Sequence, residues 1–137
     1  MKKAFVLALC LGAAVPALAQ NAEPTQQAGD ATLAAKFREM HAAAERGDAE
    51  AQFYLGVMYE YGQGVAQDDA LAAAWYRKAA DQGNAKAQHN LGVLYNFGRG
   101  VAQDDAQAVA WFRKAADQGL ADAQDALRRL ETAGRIK

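Results

Sequence analysis

GDAEAQFYLGVMYEYGQGVAQDDALAAAWYRKAADQ, residues Gly47 to Gln82, is followed at once by GNAKAQHNLGVLYNFGRGVAQDDAQAVAWFRKAADQ, residues Gly83 to Gln118. The two copies align without a gap at a period of 36 residues, and 25 of the 36 paired positions are identical. A period in this range marks a stacked array, in which one unit cannot bury its apolar face alone and needs a neighbour. Function is then to be sought on a surface that the stacking creates.

Each unit reads as two helices. Ala51, Leu55 and Tyr59 recur at the spacing that lines one helical face, so the first helix is expected from about Ala49 to Tyr61. Asp48 is placed to accept from the free N–H groups of its first turn, worth about 1 kcal/mol, and Asn84 offers the same in the second copy. Gly62 ends the helix, and a second one begins near Asp68 and runs through Ala70, Ala73, Ala74, Trp75 and Ala79 to Gln82. Small residues let such a helix approach closely while one tryptophan fills the remaining volume, which predicts that Trp75 and Trp111 are buried.

The details narrow the choice among two-helix repeats. Leu55-Gly56-Tyr59 and Leu91-Gly92-Tyr95 share one pattern, the loops Gly62-Gly64-Val65-Asp68 and Gly98-Gly100-Val101-Asp104 share another, and the pattern AxxWYRKAADQG of Ala72 to Gly83 returns with Phe112 in place of Tyr76. This set resembles the Sel-like repeat family, a tetratricopeptide-like group, over both whole units and partial units on either side. The resemblance implies an all-α fold, a short α-solenoid of antiparallel helix pairs, that mediates protein–protein contacts, commonly in bacterial envelope or host-interaction settings. It implies no catalytic activity and no cofactor.

Upstream, Met1-Lys2-Lys3 precedes an apolar run from Ala4 to Val15, and Ala17-Leu18-Ala19 supplies small residues where a signal peptidase reads. Residues 1–19 are expected to be a cleaved export signal, the run being shorter than the roughly 18 to 20 residues that span a bilayer. The product would be periplasmic or secreted, with no membrane span in its mature form. Cleavage after Ala19 removes Cys10, the single cysteine, so packing and capping alone must hold the mature chain. It also removes Lys2 and Lys3, leaving 13 basic against 16 acidic side chains and no basic run that could track a phosphate backbone; nucleic acid is not expected as a partner. Residues 20–30 are polar, contain Pro24 and read as a flexible linker.

The solenoid is expected over residues 31–137, with half-repeat caps at 31–46 and 119–134 around the whole repeats 47–82 and 83–118. In the first cap Glu39 stands where the tryptophans stand in the whole units, since no earlier unit needs packing there. In the last, Arg128 takes the position of Gly56 and Gly92, and Glu131 that of Tyr59 and Tyr95, so charge replaces the surface a further helix would use. Arg135-Ile136-Lys137 reads as a solvated basic tail.

No catalytic constellation emerges. The adjacent carboxylates Asp68-Asp69 and Asp104-Asp105 open helices, where capping accounts for them. His41 and His89 have no partner at a metal spacing, so no metal site is assigned. The Gly-x-Gly loops lack the Lys-Ser/Thr of a phosphate loop, and Arg77-Lys78 with Arg113-Lys114 read as a solvated face.

What remains is where the copies disagree, because such positions are not dictated by the shared fold. Phe53, Val57 and Tyr61 lie at successive fourth positions on the first helix, as do His89, Val93 and Phe97, on a stripe turned away from Ala51-Leu55-Tyr59. The resemblance places first helices on the concave side of the array. This row, flanked by Glu50, Glu60, Lys86 and Asn96, is therefore the candidate groove for a protein or peptide. Two readings stay open: the aromatics anchor a partner, or they pack between neighbouring first helices. A cell-wall or glycan-associated envelope protein, with or without hydrolase activity and with Tyr54, Tyr61, Trp75 or Trp111 stacking on sugars, is the alternative function.

Overall fold

The computed structural model describes residues 24–137, with side-chain surroundings from residue 29 onward. The export signal and its cleavage site lie outside the described residues, as do the first four residues of the linker. Six helices follow in order: α1 Pro24–Glu45, α2 Ala49–Tyr61, α3 Asp69–Asp81, α4 Ala85–Phe97, α5 Asp105–Asp117 and α6 Ala121–Thr132. Each packs on its neighbours in the chain, the α2/α3 and α4/α5 pairs forming the whole units.

The caps form as the residue types require. Asp48 accepts from the Ala51 N–H at 2.9 Å and Asn84 from the Ala87 N–H at 2.9 Å. Asp68 and Asp104 do the same for Leu71 and Gln107 at the starts of α3 and α5. Leu120 occupies the corresponding position before α6 and offers no side-chain cap. The structure differs from the expected linker: α1 starts at Pro24, so most of residues 20–30 are helical. Proline suits a first helical turn, where its missing N–H would have had no partner, and once the docked part of α1 exists, adding turns needs no new nucleus.

Within a unit the close approach is set by glycine. A Cβ on Gly56 would stand 2.5 Å from the Tyr76 ring, and one on Gly92 would stand 2.7 Å from that of Phe112. Tyr76 and Phe112 are the largest fully buried side chains, laid against the bare backbone of the helix before them. Between units the loop glycines do the same: a Cβ on Gly100 would meet the Asp69 carbonyl at 2.3 Å, and one on Gly64 the Leu33 carbonyl at 2.4 Å. Leu33 is 36 residues before Asp69, so α1 stands where the second helix of a unit stands.

Buried polar residues tie successive turns of the array together. Gln52 donates to the Ala44 carbonyl at 3.1 Å and accepts from Gln82 at 2.8 Å; Gln88 donates to Ala80 at 3.1 Å and accepts from Gln118 at 2.9 Å. Trp75 and Trp111 are 7% and 6% exposed, as expected. The solvated-face reading of Arg77-Lys78 is corrected: Lys78 lies 4.2 Å from the Trp75 ring centre and Lys114 4.4 Å from that of Trp111, while Arg77 covers Trp111 at 5.3 Å and donates to the Tyr95 hydroxyl. Cations laid on indole faces seal those rings from water.

Candidate functional site: the first-helix face

The stripe predicted on α2 and α4 exists, and it changes character along its length. Its inner members lean onto the second helices: the Phe53 ring centre is 5.9 Å from that of Tyr76, and His89 is 5.5 Å from Phe112. Val57 and Val93 are half-buried against the same clusters. Its outer members, Tyr61 and Phe97, are each 67% exposed. Packing therefore accounts for the inner residues, and the outer rings are left facing solvent.

The candidates border three hollows along this face. His89, Val93, Asn96 and Phe97 line a cavity of about 470 Å³ whose opposite wall is α6, with Ala126 and Leu130. Glu50, Phe53 and Lys86 border a second hollow of about 360 Å³ towards Leu120. Val57 belongs to a third of about 420 Å³, shared with Tyr54 and with Leu33 and Met40 of α1.

Glu60 is not the rim charge that the sequence suggested. Its side chain is 8% exposed; it accepts from the Tyr76 hydroxyl at 2.7 Å and from Arg99 at 3.0 Å. Arg99 also donates twice to Asp69, at 3.0 and 3.2 Å, so one guanidinium from the second unit clamps two carboxylates of the first. Burial, and then donation to Glu60, push the Tyr76 phenol well above its ordinary range. The Asp69 carboxylate, foremost, holds Arg99 more firmly protonated than usual.

The clamp repeats with the period. Arg135, 36 residues after Arg99, donates to Asp105, 36 after Asp69, with Nε at 3.2 Å from Oδ2. The tail is thus not merely solvated; Arg135 closes the last unit. Asp69 and Asp105 act as ion-pair acceptors while their neighbours Asp68 and Asp104 cap. At the position of Glu60 the second unit has Asn96, and Phe112 there lacks the hydroxyl of Tyr76. Asn96 Oδ1 is buried without a hydrogen-bond partner among the described residues.

No group of three or more metal-ligating side chains occurs among the described residues, and no helix among them is long and apolar enough to cross a membrane. The buried, cation-covered tryptophans give a sugar-stacking site nothing to use; of the rings named for it, only Tyr54 and Tyr61 are exposed.

A model of the Sel1 repeat matches residues 49–84 and 85–120, together more than half of the chain, with the same 36-residue period shifted by two residues. The chain belongs to the Sel1 repeat family. Among solved structures it is similar to c5321, a protective antigen of uropathogenic Escherichia coli with an SLR fold: 45% identity, TM-score 0.68, covering 69% of this chain and 20% of that one. It is similar also to a Sel1 repeat protein from Oxalobacter formigenes: 44% identity, TM-score 0.69, covering 71% and 28%. A third is the cysteine-rich protein B of Helicobacter pylori, at 32% identity and TM-score 0.62 over 65% and 67%. No curated protein matches the sequence. The chain spans 20% and 28% of the length of the first two structures it matches. Sel1 repeat proteins are generally protein-interaction scaffolds, and the family is typically non-catalytic.

Proposed function

We propose that this Sel1 repeat chain is an exported, non-catalytic scaffold that holds a protein or peptide partner on the face of its first helices. The carrying observation is the pair of rings Tyr61 and Phe97, two-thirds exposed at equivalent positions one unit apart, with Phe97 on the wall of the 470 Å³ cavity. A monomer that leaves two large rings in water at the fold's own repeat distance gains nothing in stability from them, whereas aromatic anchors are what interfaces use. Export is supported by the charge, apolar run and small residues of positions 1–19.

Two measurements test the reading. Fractionation with N-terminal sequencing of the chain made in its own host is expected to find Gln20 first, outside the cytoplasm; an intact Met1 on a cytoplasmic product refutes export. Affinity capture with the wild type beside Tyr61→Ala/Phe97→Ala, shown by circular dichroism to remain helical, is expected to lose a partner only in the variant. The same partner captured by both refutes the first-helix face.

A further inference from the structure

We propose that the hollow of about 420 Å³ between α1 and α2 is a slot for one amphipathic helix of a partner protein, with apolar residues at i and i+4, a small residue at i+3 and an acidic one at i+7. Neither Tyr61 nor Phe97 lines it, so the slot stands apart from the contact proposed for that pair.

The repeat shows what fills such a place. Counting forward 36 residues, Leu33, Met40, Tyr54 and Gln63 of its lining become Asp69, Tyr76, Asn90 and Arg99. There the occupant is α2. The Phe53 ring centre lies 5.9 Å from that of Tyr76, and Gly56 brings the bare backbone against the same ring. Val57 packs on the cluster that holds Ala72, Tyr76 and Leu94, and Glu60 accepts from Tyr76 and Arg99. Positions 53, 56, 57 and 60 are i, i+3, i+4 and i+7, the spacing of a helix laid in a groove. At the first end of the array no described helix takes that place. Residues 62–68 turn α2 back onto α3, but their counterparts 26–32 are helical within α1, so the chain makes no such turn there.

The residues of the slot suit burial better than water. A terminal unit that faces solvent needs a polar outer face, as α6 has with Arg128 and Glu131. Here the exchanges run the other way. Leu33 replaces Asp69, Met40 replaces Tyr76, Tyr54 replaces Asn90 and neutral Gln63 replaces Arg99, which leaves Leu33 41% and Tyr54 44% exposed. Lys36, in the place of Ala72, is the one charged residue of the lining. It lies 3.5 Å from Glu39, but both side chains are more than half exposed, so that pair holds it weakly. With Leu33 where Asp69 would supply an anion, a carboxylate at i+7 is the complement of Lys36. One helix is accepted and no further unit. Trp75 packs beside His41 of the preceding second helix, at 5.7 Å between ring centres, and Glu39 takes the place of Trp75 on α1. A second copy docking by α6 would bring its α5 against Glu39 and would set Arg128 where Gly56 is needed.

The test titrates the full chain, carbon-13 labelled at its methionine methyls, with a peptide of residues 48–61. A lactam across positions 51 and 55, the face that α2 turns to Ala44 and Trp75, holds the peptide helical. Saturable NMR shifts are expected at the Met40 and Met58 methyls, with the Ala126 and Ala133 amides unmoved. The same peptide carrying Glu60→Lys is expected to bind about fivefold more weakly, and Lys36→Glu in the protein, at an exposed position, to reverse that order while the helical circular dichroism is kept. No saturable shift at the two methyls, or an unchanged order of the peptides with Lys36→Glu, overturns the proposal. Methyl shifts that grow with protein concentration alone would give the slot to a second copy, and shifts on removal of residues 1–23 would give it to this chain's own N-terminal segment; either result overturns it as well.

Discussion

Replacing Gly100 by alanine, with Gly83→Ala as its control, separates the contribution of unit stacking from that of backbone conformation. Both glycines have positive φ, +69° and +93°, so each alanine meets the left-handed penalty of about 1–2 kcal/mol. Part of it, about 0.4–1 kcal/mol, is offset because alanine also restricts the unfolded chain. At Gly83 nothing lies within 4 Å of a new Cβ, so about 1 kcal/mol is the whole expected loss. At Gly100 the Cβ would stand 2.3 Å from the Asp69 carbonyl carbon and oxygen and 2.6 Å from the Ala70 nitrogen. These are backbone atoms at the start of α3 and cannot swing aside. Relieving them separates the second unit from the first, which adds an overpacking cost of about 1–3 kcal/mol and pulls Arg99 from Asp69 and Glu60. A total near 3–4 kcal/mol follows. At about 4 °C per kcal/mol, thermal melts by circular dichroism should fall by about 4 °C for Gly83→Ala and by about 12–16 °C for Gly100→Ala. The latter should also broaden as the units uncouple. Equal shifts for the two variants would refute the close loop-to-helix stacking.

The clamp gives a second comparison. Arg99→Met strands the buried Glu60 carboxylate with Tyr76 alone and is expected to cost about 1–3 kcal/mol in urea unfolding, whereas Arg135→Met at the more open end pair should cost no more than about 1 kcal/mol. At high pH Tyr76 sets the direction. Its phenol pKa is raised in the fold, so the unfolded chain loses that proton first; the stability it contributes is whole below pH 10.0 and declines as pH rises above it. Tyr76→Phe should be less stable at neutral pH, and the gap should narrow above about pH 10 in unfolding curves taken across that range. Iodide should quench the tryptophan fluorescence weakly, since Trp75 and Trp111 are buried; quenching comparable to that of free tryptophan would contradict the packing.

The architecture was legible because its determinants are local or periodic. Asp48, Asn84, Asp68 and Asp104 announce helix starts within three residues of the N–H they meet, and the repeat of Trp75 at Trp111 announces a shared interior. The start of α1 was not legible, since a polar stretch with one proline fits a tether as well as a first turn. The clamp was hidden for another reason. Its partners lie 30 and 39 residues apart, and arginine and aspartate look like ordinary surface residues until the units are stacked. One signal was available: Arg99 and Arg135 are separated by one period, as are Asp69 and Asp105. The buried glutamines carried a similar signal, Gln52 returning as Gln88 one period on and, exposed at the end of the array, as Gln124.

On the candidate face, sequence comparison between copies found positions that the fold leaves open, but not which of them reach solvent. Phe53 and Tyr61 belong to one stripe, yet Phe53 sits beside the Tyr76 ring while Tyr61, two turns on, extends past the end of the packed pair. Glu60 illustrates the converse. A charge that differs from its counterpart looked like specificity, and the structure uses it to anchor Tyr76 and Arg99.

Docking of a partner on the first-helix face can be read out by site-specific photo-cross-linking in intact cells. A benzophenone side chain would be placed in turn at position 97, at position 61 and, as a control, at Leu71, an exposed residue of α3. One discrete adduct is expected from positions 97 and 61 and none from 71; an adduct from 71 alone would rule out docking on the first-helix face.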